Sequence, residues 1–272
     1  IVAVNGVPTR GRTALDITDQ IGENPEAGSV TMTVLTEKEG KDGLRNSRDL
    51  TMARQFATIK NPVVFKMSER REDGTNVGYV RVGEFNSLVN SKLEEALRTL
   101  EGQGANAYVL DMRSNPGGAF QSAVEIAGLF MDDKLATSLV FNNVKSPFRT
   151  TTGKVIVDKT DPIAIWLDNR SASSTEVFAG AMQDQCRAVV MGPTNSFGKG
   201  LMQAVYGLQD GGGLVLTVSR YVTPNGTDIQ GKGISPDITA KIPWRFASPS
   251  DTSKVDFLDI SARLKGGMCT PV

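Results

Sequence analysis

Three serines near the middle of the chain stand where a nucleophile could work. Ser171, Ser173 and Ser174 lie between an apolar run at 163–167, predicted to be a buried strand, and a helical pattern that begins at about residue 174. A serine at a strand-to-helix turn is lifted out of the packed layer, and the helix N-terminus offers free N–H groups to a developing oxyanion. The alternative is that these hydroxyls only cap the helix.

The residue that could accept the serine proton is not a histidine, because the chain contains none. Ser-His-Asp and Cys-His arrangements are therefore impossible within it. A desolvated lysine is the best-attested substitute. Lys199 lies 26 residues after Ser173, between Gly198 and Gly200. Flanking glycines suit neither a helix nor a strand and predict a special backbone conformation there; the alternative is an ordinary solvated loop lysine.

Four motifs in a fixed order carry a resemblance to a known family. They are LDMRSNPGG at 110–118, SASSTE at 171–176, GKGLMQ at 198–203, and RYVTPNG at 220–226 followed by DIQGKGI at 228–234 and PD at 236–237. With these motifs the chain resembles the carboxy-terminal processing, or tail-specific, proteases. That family has bacterial periplasmic members and plastid members that trim a photosystem II reaction-centre precursor.

The resemblance implies a role for three residues. The nucleophile of the family falls on Ser173, its lysine base on Lys199 and its supporting glutamine on Gln203. Two departures stand out: Ser174 and Thr175 replace the usual Ala and Ser, and the Ser-to-Lys interval is one residue longer, with an apparent insertion around residues 194–196. Ser174 is therefore a rival nucleophile.

A glycine-rich turn supplies the candidate oxyanion donors. Residues 107–111 predict a buried strand that leads into Gly117 and Gly118, and a helix is predicted over 119–131. Ligands of open α/β folds gather at the carboxyl ends of strands. We expect the N–H of Gly117 or Gly118 to be one donor and the N–H of Ser174 the other, unless the glycines serve only a tight turn. Asp111 and Arg113 are expected to be structural partners, and so is Asp184.

Composition limits the classes of partner. The chain has 272 residues, 39% apolar and 22% charged, with a formal net charge of zero. This balance argues against nucleic acid or an anionic membrane as the main partner, and no apolar run reaches the ~18 residues of a membrane span. Residue 1 is expected to lie within a domain, so that targeting information is missing. The oligomeric state is left open.

The two cysteines do not define a site by themselves. Cys186 and Cys269 are too few for a disulfide framework or a zinc site. Whether they pair with each other is left open. The peptidase reaction that the resemblance implies needs neither a cofactor nor a metal.

The predicted fold class is mixed α/β in two parts. Residues 57–272 resemble an α/β serine-peptidase domain, and residues 1–56 resemble the second half of a PDZ module. A PDZ module binds a peptide by adding it as a strand to a sheet edge. The predicted helix 13–21 would then turn Leu15 and Ile17 or Thr18 toward the ligand, although the loop that binds the carboxylate is not in this chain. The alternative is a plain structural sub-domain.

Local patterns predict further elements in both parts. Strands are predicted at 1–4, 29–35, 50–53, 62–66, 77–82, 188–191, 214–218 and 221–222, and a helix capped by Asn86 at 87–101. The charged stretch 37–48 is predicted to be a loop. The tail from residue 247 is predicted to be mobile in its last residues.

Together these observations predict a serine endopeptidase that cleaves proteins near their C-terminus, in an exported compartment such as the thylakoid lumen or the bacterial periplasm. Its partner would be the C-terminal tail of a protein substrate. The rival prediction is an inactive peptide-binding scaffold, in which Ser174, Thr175 and the added residue mark a lost active-site geometry.

Overall fold

Strands and helices alternate along the chain, which confirms the mixed α/β prediction. The computed structural model describes residues 1–22, 27–39, 45–54, 59–68, 70–208, 212–240, 252–253, 255–265 and 269–272. The chain divides into two units, Ile1–Thr58 and Ile59–Val272. This division lies two residues from the predicted boundary between residues 56 and 57. The functions assigned to the two parts stay predictions.

The first unit is a four-stranded antiparallel sheet with one helix. Its elements are β1 (Ala3–Val4), β2 (Val7–Pro8), α1 (Ala14–Gly22), β3 (Ser29–Glu39) and β4 (Arg45–Ala53), and the strand order is β2-β1-β3-β4. Asn5 and Gly6 both have positive φ angles, 49° and 79°, as a tight turn between β1 and β2 requires. The turn and the helix were predicted from the sequence.

The predicted loop at 37–48 is wrong for the residues that the structure describes. β3 continues to Glu39 and β4 begins at Arg45, with Leu35 opposite Ser47 and Glu39 opposite Arg45. The charged residues did not prevent strand pairing, because the backbone ladder needs no apolar side chains. Residues 40–44 lie outside the described part.

The second unit is built on a six-stranded sheet. Its strands, in the order β14-β11-β10-β7-β6-β5, are parallel except for the antiparallel edge strand β5. The bounds are β5 (Val63–Met67), β6 (Val77–Val82), β7 (Ala107–Asp111), β10 (Ile163–Trp166), β11 (Val189–Gly192) and β14 (Ile238–Thr239). A largely parallel sheet of this kind must be covered on both faces.

Helices cover both faces of that sheet. They are α2 (Val89–Gly102), α3 (Phe120–Ala127), α4 (Ser174–Asp184) and α5 (Phe257–Lys265). Tyr108 and Leu110 of β7 belong to the core that contains α2, α3 and α4, whereas Ala107 and Val109 belong to a second core that contains Phe257 and Ile260 of α5. The alternation along β7 therefore separates the two layers. Asn86 does not cap α2 directly: its Oδ1 accepts the Leu88 N–H at 2.9 Å, one residue before the helix begins.

A second, antiparallel sheet completes this unit. Its strands are β8 (Leu135–Phe141), β9 (Val144–Arg149), β12 (Leu201–Gly207) and β13 (Gly213–Val222), in the order β12-β13-β8-β9. The two predicted segments 214–218 and 221–222 are one strand, β13. Strand β12 was not predicted. A bulge between Met202 and Gln203 breaks its alternation, so the pattern of apolar residues does not have the period of a strand.

The described residues near the end of the chain include a helix and a disulfide. Helix α5 buries Phe257 and Ile260, and Cys269 forms a disulfide with Cys186 across 83 residues of sequence. The structure thus pairs the two cysteines, and α5 is a helix that the sequence did not predict. Among the described helices, none has both the length and the apolar character that crossing a membrane demands.

Candidate active site

Ser173 occupies a strained turn between β10 and α4. Its backbone angles are φ 58° and ψ −120°, although it is not a glycine. Such a conformation costs on the order of 1–3 kcal/mol and persists only where the surrounding structure enforces it. Sharp strand-to-helix turns of this kind present the nucleophile in α/β-hydrolases. The strain singles out Ser173 and was not foreseen from the sequence.

The two neighbouring serines are engaged in structural contacts. The Oγ of Ser171 donates to the Met112 carbonyl at 2.9 Å and accepts the Asp168 N–H at 3.0 Å. The Oγ of Ser174 donates to the Gly118 carbonyl at 2.9 Å. Both side chains are buried, whereas Ser173 is only half-buried. The arrangement favours Ser173 over Ser174 as the nucleophile.

The buried carboxylate of Glu176 joins the serine turn to the lysine loop. Its Oε2 accepts the N–H of Ser173 and the N–H of Lys199, both at 2.8 Å, so these two nitrogens lie around one oxygen atom. Its Oε1 accepts the Gly198 N–H at 2.6 Å and the Ser196 Oγ–H at 2.5 Å. These four hydrogen bonds compensate the buried carboxylate for the hydration that it loses on folding.

The role of Glu176 is wider than the sequence indicated. Ser173 and Glu176 match the S-x-x-E pattern of a capping box, and that pattern could have marked Glu176 as a partner of the Ser173 backbone. Nothing in the pattern connects it with residues 196–199, which lie 20 residues or more further along the chain. Sequence reasoning therefore missed its function as a common anchor.

The glycines around Lys199 are required by close backbone contacts. A Cβ on Gly198, whose φ is +87°, would lie 3.0 Å from the backbone nitrogen of Lys232. A Cβ on Gly200 would lie 2.4 Å from the backbone nitrogen of Gln230. Real Cβ atoms essentially never come closer than 3.0 Å, so the contact at Gly200 excludes a side chain, and the contact at Gly198 is tighter than most real Cβ contacts. The positive φ of Gly198 confirms the predicted special backbone at this loop.

The side chains of Lys199 and Gln203 are both exposed. Neither forms a hydrogen bond or ion pair with any residue that the structure describes. The hydrogen bond expected between Gln203 and Lys199 is therefore not formed in this conformation. Gln203 lies on β12, the strand that starts two residues after Lys199.

The turn at Gly117 and Gly118 lies directly against the serine turn. A Cβ on Gly117 would lie 2.7 Å from the Ala172 carbonyl oxygen and 2.9 Å from the Ser174 nitrogen. The Gly117 N–H already donates to the side chain of Asn115 at 2.9 Å. The N–H groups of Gly118 and Ser174 make no such bond within the described part of the chain. The free pair of donors is thus Gly118 and Ser174.

Asp111 and Arg113 support this turn as structural partners. Arg113 forms two hydrogen bonds of 2.8 Å to the Asp111 carboxylate, and its guanidinium lies 4.9 Å from the Trp166 ring centre. Burial would raise the pKa of Asp111, but the hydrogen bonds and charge of Arg113, with smaller contributions from Tyr79 and Arg81, hold it below its ordinary value. Asp111 is therefore an ionised structural anchor at the end of β7.

Asp184 also has structural partners, at the other end of α4 from Ser173. Its carboxylate accepts the backbone N–H of Asn225 at 2.9 Å and the Asn225 side-chain amide at 3.0 Å. These contacts fit the structural role expected for it.

The candidate peptide-binding residues of the first unit are only partly described. Ile17 is half-buried on α1. The side chains of Leu15 and Thr18 lie outside the part that the structure describes. The predicted ligand-facing set therefore stays a prediction.

Comparison with protein families matches one family to the second unit. Residues 76–240 match Peptidase family S41. The matched stretch runs from just before β6 to just after β14 and contains every candidate residue of the serine, lysine and glycine turns.

Individual relatives agree with this match. The chain is 37% identical over 249 residues to carboxyl-terminal-processing peptidase 1, chloroplastic, of Arabidopsis thaliana, covering 90% of this chain and 48% of that protein. It is 32% identical over 272 residues to a carboxyl-terminal-processing protease of Synechocystis, covering 98% and 60% respectively. The chain thus spans about half the length of these relatives.

Among solved structures, the chain is similar to a photosystem II D1 C-terminal processing protease. The TM-score is 0.65 and the sequence identity 29%, with 100% of this chain and 68% of that chain covered. The similarity includes both units.

Proposed function

The chain belongs to Peptidase family S41, and on that premise we propose that it is a serine endopeptidase that cleaves polypeptides near their C-terminus. The observation that carries the proposal is the shared contact of Ser173 and Lys199 with one buried oxygen of Glu176. This contact places the candidate nucleophile and the candidate base on adjoining backbone segments, although they are 26 residues apart in sequence.

In the proposed reaction, neutral Lys199 removes the proton from the Ser173 hydroxyl as the oxygen attacks the substrate carbonyl. The N–H groups of Gly118 and Ser174 stabilise the oxyanion of the tetrahedral intermediate. The amine product leaves with a proton returned by Lys199, and water then hydrolyses the acyl-enzyme by the same sequence of steps. Catalytic hydrogen bonds are often long or misaligned without substrate. The exposed Lys199 side chain would therefore turn toward Ser173, and Gln203 would orient it, when substrate binds.

The first unit would hold the tail of the substrate. Its four-stranded sheet and helix α1 are consistent with the second half of a PDZ module, in which a peptide adds a strand beside a helix. Leu15, with Ile17 or Thr18, would face the peptide. The substrate class comes from the names of the relatives, which are carboxyl-terminal-processing peptidases.

We place the reaction in an exported, oxidising compartment. Some relatives are described as chloroplastic, and others are bacterial. The disulfide between Cys186 and Cys269 supports the same conclusion independently, because disulfides persist in oxidising compartments and are rare in reducing ones.

Active-site labelling tests the proposed function. We expect a fluorescent fluorophosphonate to label Ser173 in the wild-type chain and to fail with Ser173→Ala, while Ser174→Ala keeps activity within about tenfold because its backbone N–H remains. Lys199→Arg should be inactive, since arginine keeps the charge but does not give up its proton.

Two results would contradict the proposal. Labelling of Ser173→Ala but not of Ser174→Ala would move the nucleophile by one residue. Substantial peptidase activity in Lys199→Arg would reduce Lys199 to an electrostatic or structural residue. Far-UV circular dichroism of each variant provides the control for folding.

A further inference from the structure

Strand β12 is an edge strand without the features that normally protect an edge. Free edges can pair with other chains, and proteins discourage this with charged residues, proline or very short strands. Of the described edge strands, β4, β5 and β9 carry charged residues, β2 contains Pro8, and β14 has two residues. The seven residues of β12 include neither a charge nor a proline.

The unprotected edge belongs to a ribbon that projects beyond the sheet. Strand β13 pairs with β8 only at Arg220, Tyr221 and Val222 within the described residues. The rest of β13 pairs with β12 alone. A two-stranded ribbon is only marginally stable by itself, so this one is suited to binding something.

The ribbon is apolar on both faces. Val205 lies opposite Val215 on one face, and Tyr206 lies opposite Leu214 on the other. Six apolar side chains of the ribbon are 44–73% exposed: Val205, Tyr206, Leu208, Leu214, Val215 and Leu216. An exposed apolar surface of this extent marks an interaction site in a soluble protein.

Physical chemistry distinguishes between the possible occupants. Inserting the ribbon into lipid would leave the backbone groups of its open edges without hydrogen-bond partners, which hydrocarbon does not tolerate. An extended polypeptide would instead satisfy those groups by adding a strand, and its apolar side chains would cover the face of the ribbon. The lack of charge on β12 suits a segment that is itself uncharged.

The position of β12 indicates which polypeptide would bind at its edge. The strand begins two residues after Lys199, whose backbone shares an oxygen of Glu176 with Ser173. Gln203, Val205, Val215 and Thr217 lie on the same face of the ribbon, because Gln203 is opposite Thr217 and Val205 is opposite Val215. That face thus begins four residues after Lys199 and runs to the end of β12, about 14 Å along the strand.

We propose that the β12–β13 ribbon binds the substrate itself, as an extended, uncharged polypeptide segment paired with the edge of β12 and packed on the face of Val205 and Val215. That the bound chain is the substrate rests on the proposed function. The ribbon would select extended segments whose backbone groups are not already paired within another sheet.

A binding measurement tests this proposal without requiring turnover. The ligand is fluorescein-labelled β-casein, an unfolded polypeptide, titrated by fluorescence anisotropy with the full chain in a Ser173→Ala background. The test variant combines Val205→Lys and Val215→Glu, which removes the apolar face but keeps an attractive pair across the strands. Val64→Lys is the matched control, because Val64 is 64% exposed on edge strand β5.

We expect the double substitution to raise the Kd at least about tenfold and the control to change it less than about twofold. If the double variant loses its native circular dichroism, Val205→Thr with Val215→Thr tests the same face with a smaller change, because threonine keeps the branched shape suited to a strand. Unchanged casein binding in a folded double variant would overturn the proposal. So would conversion of a dimer to a monomer, seen by light scattering, with unchanged casein binding, because the ribbon would then bind a second copy of the chain.

Labelling and casein binding together distinguish failure of this proposal from failure of the proposed function. Fluorophosphonate labelling of wild-type Ser173 with unaltered casein binding in the double variant keeps the peptidase and rejects the ribbon. Weakened casein binding without any labelling keeps the ribbon as a polypeptide-binding surface and rejects the peptidase.

Discussion

At the scale of single residues, Glu176 holds two backbone segments together. Its carboxylate is fully buried and accepts hydrogen bonds from Ser173, Ser196, Gly198 and Lys199. Each carboxylate oxygen accepts two hydrogen bonds. The amide of a glutamine has one oxygen that can accept, and its NH2 group would face two of the groups that now donate to Glu176.

Replacing Glu176 by glutamine should therefore disturb both candidate catalytic segments. We expect Glu176→Gln to lower kcat by about a hundredfold, since small displacements of reacting groups have effects of that size. The free energy of unfolding should fall by about 2–3 kcal/mol, because buried donors lose their acceptor. Peptidase assays and urea denaturation measure the two effects.

Glu95→Gln is the matched control for that substitution. The Glu95 side chain is 61% exposed on α2 and, among the described residues, forms an ion pair only with Lys92. Its loss should change stability by less than about 0.5 kcal/mol and leave kcat as in the wild type. Wild-type activity in Glu176→Gln would show that the anchor is not needed for catalysis.

At the scale of elements, the candidate active site depends on two turns that touch each other. The turn after β7 contains Gly117 and Gly118, and the turn before α4 contains Ser173. Gly118 has φ +139°, and a Cβ there would lie 2.3 Å from the Phe85 carbonyl oxygen. Backbone atoms surround this position, so it has no room for a side chain.

Gly118→Ala should consequently shift the whole turn. We expect a loss of about 3 kcal/mol or more in the free energy of unfolding, from the clash and from the backbone angle together. Loss of peptidase activity should accompany it, because the Gly118 N–H would move away from Ser173. Chemical denaturation and fluorophosphonate labelling report the two consequences.

Gly153→Ala separates the effect of the backbone angle from that of the clash. Gly153 has φ +73°, but nothing lies within 4 Å of the position that a Cβ would take. Only the left-handed conformation opposes alanine there, at a cost of about 1 kcal/mol. Equal destabilisation by the two substitutions would mean that the contact with Phe85 does not constrain the turn.

At the scale of the whole molecule, the chain consists of two units, and the larger, second unit contains a disulfide between residues far apart in sequence. Cys186 follows the C-terminal end of α4, and Cys269 lies close to the end of the chain. The disulfide therefore joins two residues that are 83 positions apart in sequence. The enclosed segment includes Lys199, the β12–β13 ribbon and α5. A link across so long a loop removes much conformational freedom from the unfolded chain.

Reduction of this disulfide should lower thermal stability. The chain-entropy relation gives an upper value of about 4.5 kcal/mol for a loop of this size. We expect dithiothreitol to lower the Tm by several degrees, measured by scanning calorimetry. The double variant Cys186→Ser with Cys269→Ser should start at the lower Tm and be insensitive to the reductant. An unchanged wild-type Tm on reduction would show that the link does not constrain the unfolded chain.

The sequence by itself determined the elements whose patterns are local. The absence of histidine excluded imidazole catalysis. The apolar runs of β6 and β7 gave their bounds as the structure has them, and the four motifs predicted the family. Gly198 and Gly200 predicted a special backbone conformation around Lys199, and Gly117 and Gly118 predicted a turn. These features can be predicted without the tertiary structure because they depend on residue types and on spacings that are short in sequence.

Only the tertiary structure decided how distant segments combine. Glu176 meets residues 196–199, Gly117 uses its N–H on Asn115 and leaves Gly118 free, and Ser173 alone among the three serines has a strained backbone. Strand β12 is a strand because β13 pairs with it, in spite of a bulge that hides its period, and Cys186 pairs with Cys269 because folding brings them together. Each of these depends on contacts between residues far apart in the chain, and such contacts are set by packing and not by the local sequence.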